Sequence, residues 1–183
     1  MDTELVARAQ RGDEAAFAVI TQGVYVRLRA VAFRILRDPH LAEDATQVAL
    51  LGIWRKLPRL RDPARFEAWS YRFLVNACAD EARRTRRALP DLPATRVPLA
   101  PDPLGAVLAR DQLEHAFERL TVEQRAVIVL RHFLDLKRED VAEALGVPVG
   151  TVDSRLSRAM AKLRDALRAE EPISPAISQE VAS

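Results

Sequence analysis

Thr151, Ser154, Arg155, Arg158 and Lys162 recur at helical spacing within the segment REDVAEALGVPVGTVDSRLSRAMAKLR, residues 138–164. Hydroxyls in a helix's first turn suit base edges in a major groove, and cations further along suit phosphates. The elements that must hold this stripe are legible around it. Val141, Ala142 and Leu145 share one face of a first helix, and Gly146 supplies the left-handed residue that ends it. Pro148 stands where a second helix begins. In that helix Val152, Leu156, Ala159 and Leu163 form an inward stripe distinct from the polar one. The pattern predicts a helix-turn-helix reading duplex DNA; an amphipathic hairpin with a solvated polar face has the same pattern.

A second set lies in the first half. Glu43, Asp44 and Gln47 sit at i, i+1 and i+4 of AEDATQVALLGIWRKL, opposite Leu41, Ala45, Val48, Leu51 and Leu57, which are expected to face inward. The acidic face reads either as a solvated surface or as a docking site for a basic helix. A short loop from Pro58 to Asp62 then leads into FEAWSYRFLVNACADEARRTRR. Phe66, Trp69, Phe73 and Ala77 form its apolar stripe. Arg65, Arg72, Asn76 and Arg83 lie on another, continued by Arg84, Arg86 and Arg87. A cationic helix end complements the helix dipole. Here it extends a face that also carries Asn76, with Leu60 and Arg61 in a loop at its other end. Arg, Asn and aromatic groups beside a loop offer pockets, stacking surfaces and phosphate contacts for single-stranded bases.

These segments require helices. Glycine is scarce, Ala, Leu and Arg are abundant, and no sustained period-two alternation occurs, so the expected class is all-α. Helices are expected near 3–11, 13–36, 39–57, 63–87, 104–119, 122–133, 138–145 and 148–169. Asp13 and the Asp-Pro pairs at 38, 62 and 102 provide caps, and Thr121 with Gln124 fits a capping box. Five of eleven prolines fall between Pro90 and Pro103. Residues 89–103 therefore read as a semi-stiff linker between two small helical domains, 1–88 and 104–170, with a disordered tail at 171–183.

The net charge is +2, with 16 Lys/Arg against 11 Asp/Glu in residues 1–88 and 12 against 15 in the remainder. No chain-wide cationic field exists, so nucleic acid must be gripped by local stripes. The single cysteine, Cys78, forms no internal disulfide and is expected as a buried thiol. No uninterrupted apolar run approaches ~20 residues, and the acidic, polar N-terminus is unlike a secretory signal, so no membrane insertion and a cytoplasmic location are expected. His40, His115 and His132 are far apart and no phosphate-binding glycine loop occurs, so no enzymatic activity, no cofactor and no metal site are expected.

Taken together, AED..Q....IW, FEAWSYRFLVNACADEARR and VAEALGVPVGTVDSRLSRAMAKLR resemble, in this order, the extracytoplasmic-function sigma factors of bacterial RNA polymerase. The resemblance runs from about Leu5 to Leu167. It implies a first domain that docks on core polymerase through Glu43, Asp44 and Gln47. It implies −10 recognition and melting by the loop Leu60, Arg61 and Asp62 and by Arg65, Trp69, Arg72, Asn76, Arg83 and Arg84. It implies −35 recognition by Lys137, Arg138, Thr151, Ser154, Arg155, Arg158 and Lys162, a linker passing near the polymerase active-site channel, and an anti-sigma partner. Four positions depart from the family pattern. Val48 replaces an acid, Asp135 a glycine, Lys137-Arg138 a Ser/Thr-led helix start, and Asp153 a lysine. An acid at position 153 weakens nonspecific affinity near phosphates or, facing a base, accepts from a cytosine amino group. The alternative function is a polymerase-independent helix-turn-helix regulator, which leaves the acidic face and the Asn76 helix without a role.

Overall fold

The computed structural model describes residues 1–88 and 106–169, with 106–111 described by backbone alone. The linker, the tail and the Asp102-Pro103 cap lie outside the described residues. The described residues are helical throughout, with no strand among them. The first half comprises α1 (Thr3–Gln10), α2 (Glu14–Leu36), α3 (Pro39–Lys56) and α4 (Phe66–Ala88). The second comprises α5 (Ala106–Glu118), α6 (Val122–Ile128), α7 (Arg138–Leu145) and α8 (Val149–Arg168).

Side chains set the helix starts. The Asp13 carboxylate accepts from the Ala16 amide at 2.9 Å, and Asp38 from His40 and Leu41 at 2.8 and 2.9 Å. Pro39 follows Asp38 at the first position of α3, where its missing N–H costs nothing. Thr121 and Gln124 form the reciprocal capping box. Gly146 ends α7 at φ 64°. Asp135, where the family it resembles commonly has glycine, holds the same region at φ 48°, tied by Arg131 at 2.9 Å. Three boundaries differ from expectation. Residues 63–65 form a 3₁₀ turn that Asp62 caps before α4 begins at Phe66. The last turn after α6, Val129–Phe133, is π-helical. Pro148 caps α8 from outside the helix, which starts at Val149.

The α3 register also differs. Ala42, Ala45, Thr46, Ala49 and Ile53 are buried, whereas Val48 and Leu51 are 50% and 55% exposed. Small residues win the inward face because α3 is pressed against both α2 and α4. At Gly52 the approach leaves no room for a Cβ, which would meet Phe73 Cδ1 at 2.8 Å.

α2 is long and apolar enough to cross a membrane by length and composition. In the fold its Ile20, Val24, Leu28, Val31 and Ile35 are buried in the core. The two halves also pack on each other: α4 meets α6 and α7, α2 meets α6, and a single apolar cluster runs from Val6 to Ala166.

Candidate nucleic-acid interface

On α4, Arg65 (in the preceding turn), Arg72, Asn76 and Arg83 are exposed along one stripe. Trp69 is half-buried beside them, edge-on to Phe73 at 4.6 Å between centroids. Buried Phe66, Tyr71, Leu74 and Ala77 hold the opposite side. Arg65, Arg72 and Asn76 thus share an exposed side with Trp69, which a second ring braces. Arg83 is bonded to Asp80. Arg84 points elsewhere: its Nη2 lies 2.5 Å from the buried Glu81 and 3.9 Å from Asp44. It bridges toward α3 rather than continuing the Asn76 stripe.

The loop ahead of α4 is buried unevenly. Leu60 is 8% exposed, its side chain committed to the core. Asp62 spends one carboxylate oxygen on the Ala64 amide at 2.9 Å. Pro58, Arg59, Arg61 and Asp62 are exposed. Gln10, which the sequence did not single out, fixes the loop by donating to the Leu57 and Leu60 carbonyls at 3.1 and 2.6 Å. A Gln at the end of an otherwise amphipathic helix carries no signal of so distant a contact.

The acidic face on α3 is ordered unevenly. Glu43 accepts from the Tyr25 hydroxyl at 2.6 Å and from Gln47 at 3.0 Å, and pairs with Arg29 at 3.0 Å. The Tyr25 hydrogen bond, foremost, holds its carboxyl below the ordinary value of 4.5 and raises the phenol in turn. Asp44 is more exposed, its nearest cation the distant Arg84. Beside Gln47 opens an apolar groove of about 500 Å³ lined by Phe17, Leu50, Leu51 and Trp54. The face joins a carboxylate, an amide and exposed aliphatics.

In the second half, Val152, Ala159 and Leu163 of α8 are buried as the inward stripe required. The side diametrically opposite, at ~100° per residue, carries Asp153, Ser154, Ser157 and Arg158, all exposed. Thr151 and Arg155 are half-buried and turned aside. Arg155 lines a recess with Glu123, Gln124 and Val127 of α6. The most accessible face is thus rotated from the stripe read in the sequence: Asp153 and Ser157 join it, and Thr151 and Arg155 sit at its edge. Lys162 is exposed further along. Lys137 is exposed and makes no side-chain cap for α7. Arg138 donates through Nη1 to Asp153 Oδ2 at 2.7 Å.

Charge is also buried where the halves meet. Arg125 of α6 is 8% exposed; Nη1 donates to the Phe117 carbonyl at a long 3.4 Å and Nε meets no acceptor. Burial, reinforced by the like charge of Arg37, pushes its guanidinium down to about 10. Cys78, also enclosed, has its thiol pushed up to about 12 by burial, which makes it inert as a nucleophile. Among the described residues no group of three or more His, Cys, Asp or Glu is disposed to hold a metal.

Residues 22–88 match the family model for sigma-70 region 2, and residues 110–163 the model for sigma-70 region 4. The ECF RNA polymerase sigma factor SigM of Mycobacterium tuberculosis is 36% identical over 162 residues, covering 88% of this chain and 82% of the relative. The RNA polymerase sigma-H factor of Pseudomonas aeruginosa is 30% identical, covering 91% and 94%. Among solved structures, CnrH in complex with the cytosolic domain of CnrY superposes with a TM-score of 0.66 at 28% identity, covering 92% of this chain and 98% of that one. The sigma factor RpoE in complex with the anti-sigma factor NepR from Bartonella quintana gives 0.64 at 27%, covering 84% and 98%. With both regions present in order and the likeness extending along nearly the whole chain, it belongs to the extracytoplasmic-function sigma factors of RNA polymerase, within the sigma-70 family.

Proposed function

We propose that residues 1–88 dock on core polymerase and capture the melted −10 strand, while residues 104–170 read the −35 element as duplex. The carrying observation is the separation of two unlike surfaces in one chain. The α4 stripe has Trp69, Asn76 and three arginines, suited to unstacked bases and a single-stranded backbone. The α8 face has short polar groups and Arg158, suited to a major groove. Asp44, Gln47 and the apolar groove beside them supply a third surface, for a polymerase helix carrying both cations and aliphatics. Arg61 and Arg59, in place of Leu60, line the approach to the −10 strand, and Arg65, Arg72 and Arg83 neutralise its phosphates.

The chain performs no catalysis of its own in this reading; polymerase makes the bonds, in the cytoplasm. CnrH was solved with the cytosolic domain of CnrY and RpoE with the anti-sigma factor NepR, which supports an anti-sigma partner for this chain as well. A polymerase-independent regulator is disfavoured, because it uses neither the α3 face nor the α4 stripe.

The experiment combines the full chain with core polymerase and a promoter library. Transcripts from a defined subset, lost on Asp44→Ala with Gln47→Ala while the helical content is unchanged, are expected. Specific duplex binding by the chain alone, with undiminished transcription by that double variant, overturns the docking assignment.

A further inference from the structure

Two departures from the family pattern meet in space. Arg138, at the first position of α7, reaches across the helix-turn-helix and bonds Asp153 in the second turn of α8. Both side chains are more than half exposed, so the pair lies on the surface of the motif. An acid on the accessible face of a groove-reading helix opposes the phosphates unless something offsets it. Arg138 supplies that offset, and does so at Oδ2 alone. Among the described residues no donor occupies Oδ1.

The neighbours sharpen what the free oxygen does. The Ser154 hydroxyl donates to the Thr151 carbonyl at 2.9 Å, and Arg158 Nε donates to the Ser154 carbonyl at 3.1 Å. Part of the donor capacity of this face is thus spent on its own backbone, whereas a carboxylate only accepts. In the major groove only the amino groups of cytosine and adenine donate. Guanine presents O6 and N7, and thymine O4; a carboxylate is repelled by both. Adenine sets N7 beside its amino group, against the second carboxylate oxygen, which leaves cytosine the best match.

We propose that Asp153, oriented and charge-compensated by Arg138, is a specificity-determining residue that selects cytosine at one position of the −35 duplex. The inference rests on α8 being the duplex reader. Arg138 is a positioning residue in it: by binding Oδ2 it fixes the carboxylate and keeps its remaining donors for the adjacent backbone.

The test uses polymerase carrying the full chain and a promoter library randomised upstream of a fixed −10 element. The unaltered chain is expected to favour cytosine over guanine and thymine roughly tenfold at one position, the scale of a good base contact. Asp153→Asn moves that preference toward adenine, which an amide reads through N6 and N7, and leaves the other positions unchanged. Arg138→Ala lowers output and makes its loss with salt shallower but keeps the cytosine. An Asp153→Asn chain with an unaltered preference at every upstream position overturns the proposal. Arg158→Ala separates the two levels. If it changes upstream preference while Asp153→Asn does not, only the role of Asp153 falls. If neither changes it, α8 is not the reader.

Discussion

Arg65, just ahead of α4, lies 2.6 Å from Glu143 of α7, and the same Nη2 lies 3.0 Å from Asp140. A residue assigned to −10 DNA is therefore held by two carboxylates of the other half. A compact chain of this length has a radius of gyration of about 16 Å, whereas elements some 25 base pairs apart are separated by about 85 Å along the duplex at ~3.4 Å per pair. In the proposed assignment of one element to each half, one packed body cannot reach both, so promoter recognition requires the halves to part. Residues 89–105 allow this, with a contour reach of roughly 60 Å at up to ~3.5 Å per residue.

The double change Asp140→Asn with Glu143→Gln is expected to favour the parted form. Both pairs are partly exposed, so together they contribute about 1 kcal/mol, and screening by salt reduces it. The scattering radius rises, more at low salt than at high, and core polymerase binds about two- to fivefold more tightly, because less of the closed form competes. An unchanged radius and affinity would show that the ion pairs do not hold the halves together.

Much of this was legible in the residues, and what was not has a physical reason. The caps at Asp13, Asp38, Thr121 and Gly146 were readable because capping is local chemistry. The α8 inward stripe was readable because four apolar residues recur with one period. The α3 register was misread because alanines and an aliphatic pair compete for the same face, and only the tight approach of α4 at Gly52 decides for the alanines. The burial of Leu60 was not legible because a leucine in a loop carries no periodicity. The contacts between the halves were invisible: Arg65 meets Glu143 across 78 positions of sequence, and nothing local marks either.

The α3 register carries a consequence for docking. Val48 and Leu51 are exposed next to Gln47, and Leu51 lines the groove with Phe17 and Trp54. Val48→Asp and Leu51→Asp are each expected to weaken core polymerase binding about tenfold, by desolvating a charge against an apolar partner surface. The melting temperature should hardly move, since neither residue is in the core. A fall in melting temperature matching the lost affinity would instead make these residues structural.

Glu43 contributes differently from Asp44. Its carboxyl is depressed in the folded chain, chiefly by the Tyr25 hydroxyl, with Gln47 and Arg29 adding to it. A depressed acid stabilises the fold fully above its unfolded value, near 4.5, and loses that contribution as pH falls through the lower folded value. Tyr25→Phe should return the Glu43 titration toward 4.5 and flatten the acid limb of the stability profile. Carbon-detected NMR of the Glu43 carboxyl reads this directly; a titration unmoved by Tyr25→Phe would assign the shift to Gln47 and Arg29.

Arg125 is the most costly feature of the contact between halves. It is buried, its Nε unsatisfied, its one described hydrogen bond long, and Arg37 repels it. Glu118 and Glu123 offset this only in part, since the guanidinium still falls to about 10. Exchanging a poorly compensated buried ion for an apolar residue of similar length is often stabilising by about 1–4 kcal/mol. Arg125→Met should therefore raise the melting temperature by several degrees, whereas Arg125→Ala should lower it by leaving a cavity. The stabilised variant has a second signature. A contact made wholly apolar opens less readily, so Arg125→Met should bind core polymerase more weakly even as it melts later. Thermal melts and core-binding titrations on the same preparations distinguish the cases. If Arg125→Met melts earlier, the guanidinium contributes to the closed form, and the imperfect contact is not what lets the halves part.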